Sequence, residues 1–106
     1  MSKPDRRSYI KAVQCLRKLP SKSDKSWAAA AKTRFDDFVA IHVNQTMYIH
    51  GNGLFLTWHR YFVWAYEQAL RNECGYKGYQ PVSFENVRWP LTHLTLLVLE
   101  LVCAHR

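Results

Sequence analysis

Apolar residues recur at three- and four-residue spacing in three stretches, and the recurrence fails in the last quarter of the chain. From about residue 5 to 19, Tyr9, Ile10, Val13, Leu16 and Leu19 mark one face of a helix. Ser2 and Asp5 fit a capping box ahead of it, and Pro20 ends it. After the polar connector Ser21–Ser26, Trp27 and four alanines open a second helix that runs to about Val43. Phe35, Phe38, Val39 and His42 share its apolar stripe, and Asp36 and Asp37 face elsewhere. Asn44–Leu54 is rich in turn-forming residues and reads as a loop. A long helix follows from about Phe55 to Cys74, with Leu56, His59, Phe62, Val63, Tyr66 and Leu70 on one face. Glu67 and Arg71 form an i,i+4 pair, and Gly75 is a natural C-terminal cap. Beyond the turn-rich Tyr76–Pro81, Leu91–Ala104 is strongly apolar without a helical stripe, an irregular tail. The expectation is an all-α chain, a partial helical bundle, with two helices joined by the 44–54 loop at its centre and the first helix packed outside.

Composition narrows the class. At 106 residues and 48 % hydrophobic residues the chain is one small folded unit and not a disordered tail. No apolar run reaches the roughly 18 residues needed to span a bilayer, and MSKPDRRSYIKA has no apolar core of a signal peptide. The net charge of +7 is concentrated: residues 1–25 hold eight Lys/Arg against two Asp. No nucleic-acid motif accompanies that segment, so a solvated helix face accounts for it. Three cysteines, Cys15, Cys74 and Cys103, have no zinc-finger spacing. Cys15 and Cys74 either pair, if the chain is secreted, or remain two buried thiols.

The histidines change the picture. Taken singly, His42 and His59 are ordinary residues of an apolar helix face, and His50 is a surface residue of a Gly-rich loop. Taken together, His42 lies near the end of one helix, His59 near the start of the next, and His50 on the connection. If the helices pack antiparallel, all three imidazoles meet at one end. Three neutral imidazoles in an apolar pocket suit copper, zinc or iron, and copper binds nitrogen donors most tightly in the divalent series. Spacing alone does not separate such a copper site from a hydrolytic zinc site with three histidines.

The segment His50-Gly-Asn-Gly-Leu-Phe-Leu-Thr-Trp-His-Arg-Tyr-Phe-Val-Trp-Ala-Tyr-Glu67 resembles the first copper-binding signature of the tyrosinase family, with His50, Phe55, Leu56, Trp58, His59, Arg60, Val63 and Glu67 at its marked positions. The family's first ligand, on the preceding helix, matches His42 in Asp-Asp-Phe-Val-Ala-Ile-His42. From about Arg6 to Pro81 the chain is similar to fungal secreted members, including Tyr-Ile-Lys-Ala-Val-Gln-Cys15-Leu and Glu-Cys74-Gly-Tyr. The resemblance implies the CuA half of a four-helix bundle that holds two coppers, each on three histidines, and handles O2. Such oxidoreductases convert catechols to o-quinones, and some also hydroxylate monophenols. It implies that His42, His50 and His59 ligate the first copper. Trp58, Arg60 and Glu67 then pack around the imidazoles and orient them, and Cys15 pairs with Cys74 if the parent is secreted. The partners it implies are a phenolic small molecule and O2, with neither nucleic acid nor membrane.

The departures are as specific. After Pro81 the family continues with a Tyr-Trp-Asn-Trp-like segment, where this chain reads Val-Ser-Phe-Glu-Asn-Val-Arg-Trp-Pro. A second copper needs two histidines four apart on a helix and a third elsewhere, and only His93 and His105 remain, twelve apart. Position 48 is Tyr, where many fungal members carry a cysteine cross-linked to the second histidine. Residues 1–81 are therefore expected to form the CuA half, and 82–106 a divergent tail outside the family domain. The chain alone is expected to be inactive, a fragment of a copper oxidoreductase or a non-catalytic helical remnant that binds one metal or none. Its fungal relatives are usually secreted, which leaves its own location open.

Overall fold

The first two helices begin where a side chain can satisfy the free amides of the first turn. The structure, a computed structural model, describes residues 1–81. In α1 (Lys3–Leu16) Ser2 and Asp5 form a reciprocal capping box and a proline occupies the first turn. In α2 (Arg34–Ile49) Thr33 and Asp36 do the same. The third helix, α3 (Phe55–Cys74), has no side-chain cap at its start and ends at Gly75, whose φ of 67° is the left-handed conformation that suits glycine. The described residues hold no strand beyond an isolated bridge between Pro20 and Thr33. The expected tail, with His93, Cys103 and His105, lies outside the described residues.

The second helix is shifted by about two turns from its expected span. Trp27 and the alanines form turns rather than helix, with the Ala28 amide on the Asp24 carbonyl and the Ala31 amide on the Ala28 carbonyl. Four alanines favour a helix only weakly. The capping box at Thr33 and the bridge from Thr33 to Pro20 fix the start later in the chain. At the other end α2 continues through residues 44–49, where a loop was expected. Thr46 turns its hydroxyl onto the His42 carbonyl at 2.7 Å, a bond compatible with helix, and the last residue, Ile49, is buried. The first helix stops at Leu16 rather than 19: the Lys18 amide turns onto the Cys15 carbonyl three residues back, and the Leu19 carbonyl accepts the Arg34 amide.

The core joins α1, α2 and α3 through Ala12, Leu16, Phe38, Ala69, Leu70 and Tyr76. The first helix packs chiefly against α3. Cys15 and Cys74 form a disulfide that ties the end of α1 to the end of α3. Two residues expected on inner faces, Ile10 and Leu56, are exposed. Edge-to-face ring pairs set the register of α2 on α3: Phe35 with Tyr66, Phe38 with Phe62 and Tyr66, and His42 with His59. Ascending positions on α2 meet descending positions on α3, so the pair is antiparallel. None of the helices described is long and apolar enough to cross a membrane.

Candidate metal centre

The antiparallel register brings one end of the α2–α3 pair together, and three histidines meet there. His42 lies inside α2, His50 is the residue that caps its C-terminal end, and His59 is in the second turn of α3. The extension of α2 thus carries His50 on a helix end rather than on a free loop. His42 and His59 are each 5 % exposed, and His50 is half-buried. One ring nitrogen from each of the three lies within 4.8 Å of the others, and the Nε2 atoms of His42 and His59 are 3.3 Å apart.

Hydrogen bonds fix two of the rings. The Nδ1 of His50 donates to the Thr46 carbonyl at 2.8 Å, and that of His59 donates to the Phe55 carbonyl at 2.7 Å. A carbonyl only accepts, so both Nδ1 atoms carry the proton, and each neutral ring offers a bare Nε2. The carbonyls near a helix C-terminus lack intrahelical partners, so His50 also satisfies one of α2. His42 differs: its Nδ1 has no hydrogen-bond partner among the described residues, and its plane is set by ring packing. Trp58 and Phe62, stacked on each other at 4.9 Å, both lie 5.8 Å from the His42 ring. Burial holds the pKa of His42 below the usual imidazole value, helped by His59 and His50. Burial also lowers that of His59, outweighing the Phe55 carbonyl that favours its protonated form. Both rings are thereby kept neutral with lone pairs available.

The donor set fits a metal ion. Imidazole nitrogens at the usual ~2.0–2.1 Å from one ion, in tetrahedral to trigonal geometry, are about 3.3–3.6 Å from each other. The His42–His59 separation falls in that range. Three neutral nitrogens with no carboxylate or thiolate suit copper or zinc and leave a position open.

The residues expected to support the imidazoles divide. Trp58 does touch two of them, edging the His59 ring at 5.0 Å and approaching His42. Arg60 does not: it is exposed on the outer face of α3 beside Thr57, Tyr61 and Trp64, without a hydrogen bond or ion pair among the described residues. Glu67 does not either. It sits two turns beyond His59, about 12 Å along the helix, and accepts the Gln80 amide at 2.7 Å and Arg71 at 3.4 Å. Its carboxylate fastens the segment after α3. The groups that do orient imidazoles, besides Trp58, include Phe62, the Phe55 ring at 4.3 Å from His59, and the carbonyls of Thr46 and Phe55. The signal for the carbonyls was present as four-residue spacing, Thr46 to His50 and Phe55 to His59, which sets an imidazole over the carbonyl one turn earlier.

Fold and site together define a helical protein with a buried cluster of three imidazoles shaped for one metal ion. Residues 32–83 match the family model described as the common central domain of tyrosinase. The chain is 47 % identical over 90 residues to tyrosinase P of Aspergillus terreus, covering 85 % of this chain and 25 % of that protein. It is 57 % identical over 76 residues to a tyrosinase-like protein of Emericella nidulans, covering 72 % and 21 %. Its fold is similar to a solved polyphenol oxidase (a G292N mutant) from Thermothelomyces thermophila, with a TM-score of 0.74 and 53 % identity over 76 % of this chain and 21 % of that one. The chain belongs to the tyrosinase family, and it spans the CuA half, about a quarter of the length of the curated relatives it matches. Copper is the metal of that family, and His42, His50 and His59 form the potential site for it.

Proposed function

We propose that this chain is the copper-binding first half of a phenol- or catechol-oxidising tyrosinase-type oxidoreductase, with His42, His50 and His59 as the ligands of one copper. The observation that carries the reading is the convergence of three imidazoles, two of them with Nδ1 on a backbone carbonyl and Nε2 left for a ligand bond, at one end of an antiparallel helix pair. Copper, when bound, supplies one-electron chemistry toward O2. The chain's own residues bind and orient: Trp58 and Phe62 hold the plane of His42, the Thr46 and Phe55 carbonyls hold His50 and His59, and burial favours the neutral form of His42 and His59. Residues 1–81 act as the unit that builds this site.

The second copper of the family requires three further histidines, and the described residues contain one three-histidine cluster. The reading therefore assigns metal binding to this chain and oxidation of a phenolic substrate with O2 to the larger family architecture. The test is to express residues 1–106, titrate with Cu(I) without oxygen, then admit air with catechol and follow quinone formation. One tightly held copper per chain without family-like turnover is the expected result. Robust quinone production by a monomer with one copper would overturn the assignment of activity, and absence of stoichiometric binding would overturn the site.

A further inference from the structure

We propose that in the metal-free protein His42 carries its proton on Nε2 while His50 and His59 carry theirs on Nδ1, so that metal capture requires His42 alone to change tautomer. The inference deepens the metal-site reading above and rests on it for the capture step only.

The Phe55 carbonyl, 2.7 Å from His59 Nδ1, forces the proton of neutral His59 onto Nδ1 and leaves a lone pair on its Nε2. That lone pair faces His42 Nε2 across 3.3 Å in a buried site. If His42 also presented a lone pair there, two electron-rich nitrogens would oppose each other away from water. If it presents N–H, the contact becomes a hydrogen bond, and no donor is needed at His42 Nδ1. Nothing opposes this choice, because His42 Nδ1 has no acceptor among the described residues that would claim the proton, unlike the Nδ1 of His50 on the Thr46 carbonyl at 2.8 Å. Trp58 and Phe62, each 5.8 Å from the His42 ring, restrain its plane without selecting a tautomer. Three chemically identical side chains are thus divided by their neighbours: two are preset to ligate through Nε2, and the third is blocked by its own proton.

A metal ion entering the cluster meets His50 and His59 ready and His42 closed. For His42 to ligate through Nε2, one proton leaves Nε2 and one is taken up at Nδ1 through solvent, and the imidazole stays neutral throughout. The hydrogen bond to His59 is lost as the ligand is gained. His42 is accordingly the last ligand to engage.

The test is nitrogen-15 NMR of the imidazoles in the full 106-residue chain, above the imidazole titration range, first metal-free and then with zinc(II) as a diamagnetic probe. The expected metal-free spectrum shows the Nε2–H tautomer for His42, the Nδ1–H tautomer for His50 and His59, and a scalar coupling between the His42 and His59 Nε2 nuclei across the hydrogen bond. Zinc should convert His42 to Nδ1–H, abolish that coupling and leave the other two tautomers unchanged. A metal-free His42 already in the Nδ1–H form would overturn the inference. Zinc binding with no change of tautomer at His42 would also overturn it while leaving the metal site intact. Tautomers as assigned in a cluster that zinc does not enter would support the proton placement and count against the metal-site reading instead.

Discussion

The two ends of the α2–α3 pair are built on opposite principles. At one end, charge and covalent linkage dominate. Asp37 is fully buried and accepts Ser21 Oγ at 2.6 Å, the Lys22 amide at 2.8 Å, the Ser23 amide at 3.3 Å and Arg34 at 3.1 Å. Arg34 continues to Glu73 at 3.0 Å, Lys22 reaches the same carboxylate at 2.8 Å, and the Cys15–Cys74 disulfide lies on the neighbouring turn. At the other end the polar groups are imidazoles, two buried and one half-buried. Among the described residues no ion pair reaches them, and exposed apolar side chains such as Met47 and Leu56 lie close by in the sequence. The lesson is a division of labour. The polar network and the cross-link hold the connector and all three helices in register, which leaves the histidine end free to present lone pairs that contribute little to folding by themselves.

The sharpest way to break that division is to remove one ring. His59→Ala should weaken copper binding by more than the 10- to 100-fold typical of losing an outer partner, with the metal-free fold retained. Competition with a Cu(I) chelator and circular dichroism on the same sample measure both. If the fold collapses with the ring, the two ends are not independent.

At the opposite end the effect should reverse. Asp37→Ala leaves the Ser21 hydroxyl and the Lys22 and Ser23 amides without their buried acceptor and reduces Arg34 to its pairing with Glu73, and should cost about 1–3 kcal/mol in denaturant unfolding. Removing the cross-link by Cys15→Ser with Cys74→Ser should cost about 2–5 kcal/mol. Where each variant still folds, its copper affinity should stay near that of the parent. A variant that folds but loses copper would show that the network shapes the site as well as the scaffold.

Acid should separate the two ends by pH. Burial pushes the Asp37 carboxyl up, but Ser21, the Lys22 amide, Ser23 and Arg34 together pull it down to about 2, against an ordinary 3.8. A carboxyl lowered in the folded state stabilises above its unfolded pKa. That contribution, roughly 2 kcal/mol, is lost as pH falls from about 4 through about 2. His42 and His59 are also lowered, by burial first, so the unfolded chain takes up their protons more readily. Stability and metal binding at that end should already decline as pH falls through the ordinary imidazole value of 6.5. Unfolding followed against pH should show both windows, and Asp37→Asn should flatten only the lower one.

The smallest expected effect is at Arg60. It is exposed and without a hydrogen bond or ion pair among the described residues, so Arg60→Ala should change stability by no more than about 0.5 kcal/mol and leave copper affinity unchanged. A large loss of affinity would restore it to the support of the imidazoles.

The histidine end was more legible in the sequence than the ionic end. His42 and His59 lie on apolar stripes, and the signature around His50 to Glu67 is long enough to place all three rings together. For the third helix the stripe, the Glu67–Arg71 pair and Gly75 agree, and the predicted bounds coincide with the observed ones. For the second they do not: alanine propensity and polar turn-formers each argued locally, and the decisive forces were a capping box at Thr33 and the burial of Ile49. Periodicity turns Asp37 away from the core, since it carries no record of donors arriving from a connector about fifteen residues earlier. Glu67 was placed with the imidazoles by its position in the signature, whereas its partner, the Gln80 amide, is set by how the chain turns after Gly75.

The central claim, that His42, His50 and His59 hold one copper together, is tested most directly by X-ray absorption on the Cu(I)-loaded 106-residue chain and on its three single His→Ala variants. The account predicts one copper per chain with three imidazole nitrogens at about 2.0 Å, taking zinc–imidazole distances as the guide, and a loss of stoichiometric binding in each variant. Copper that stays bound with an unchanged nitrogen shell after any one of these substitutions would contradict it.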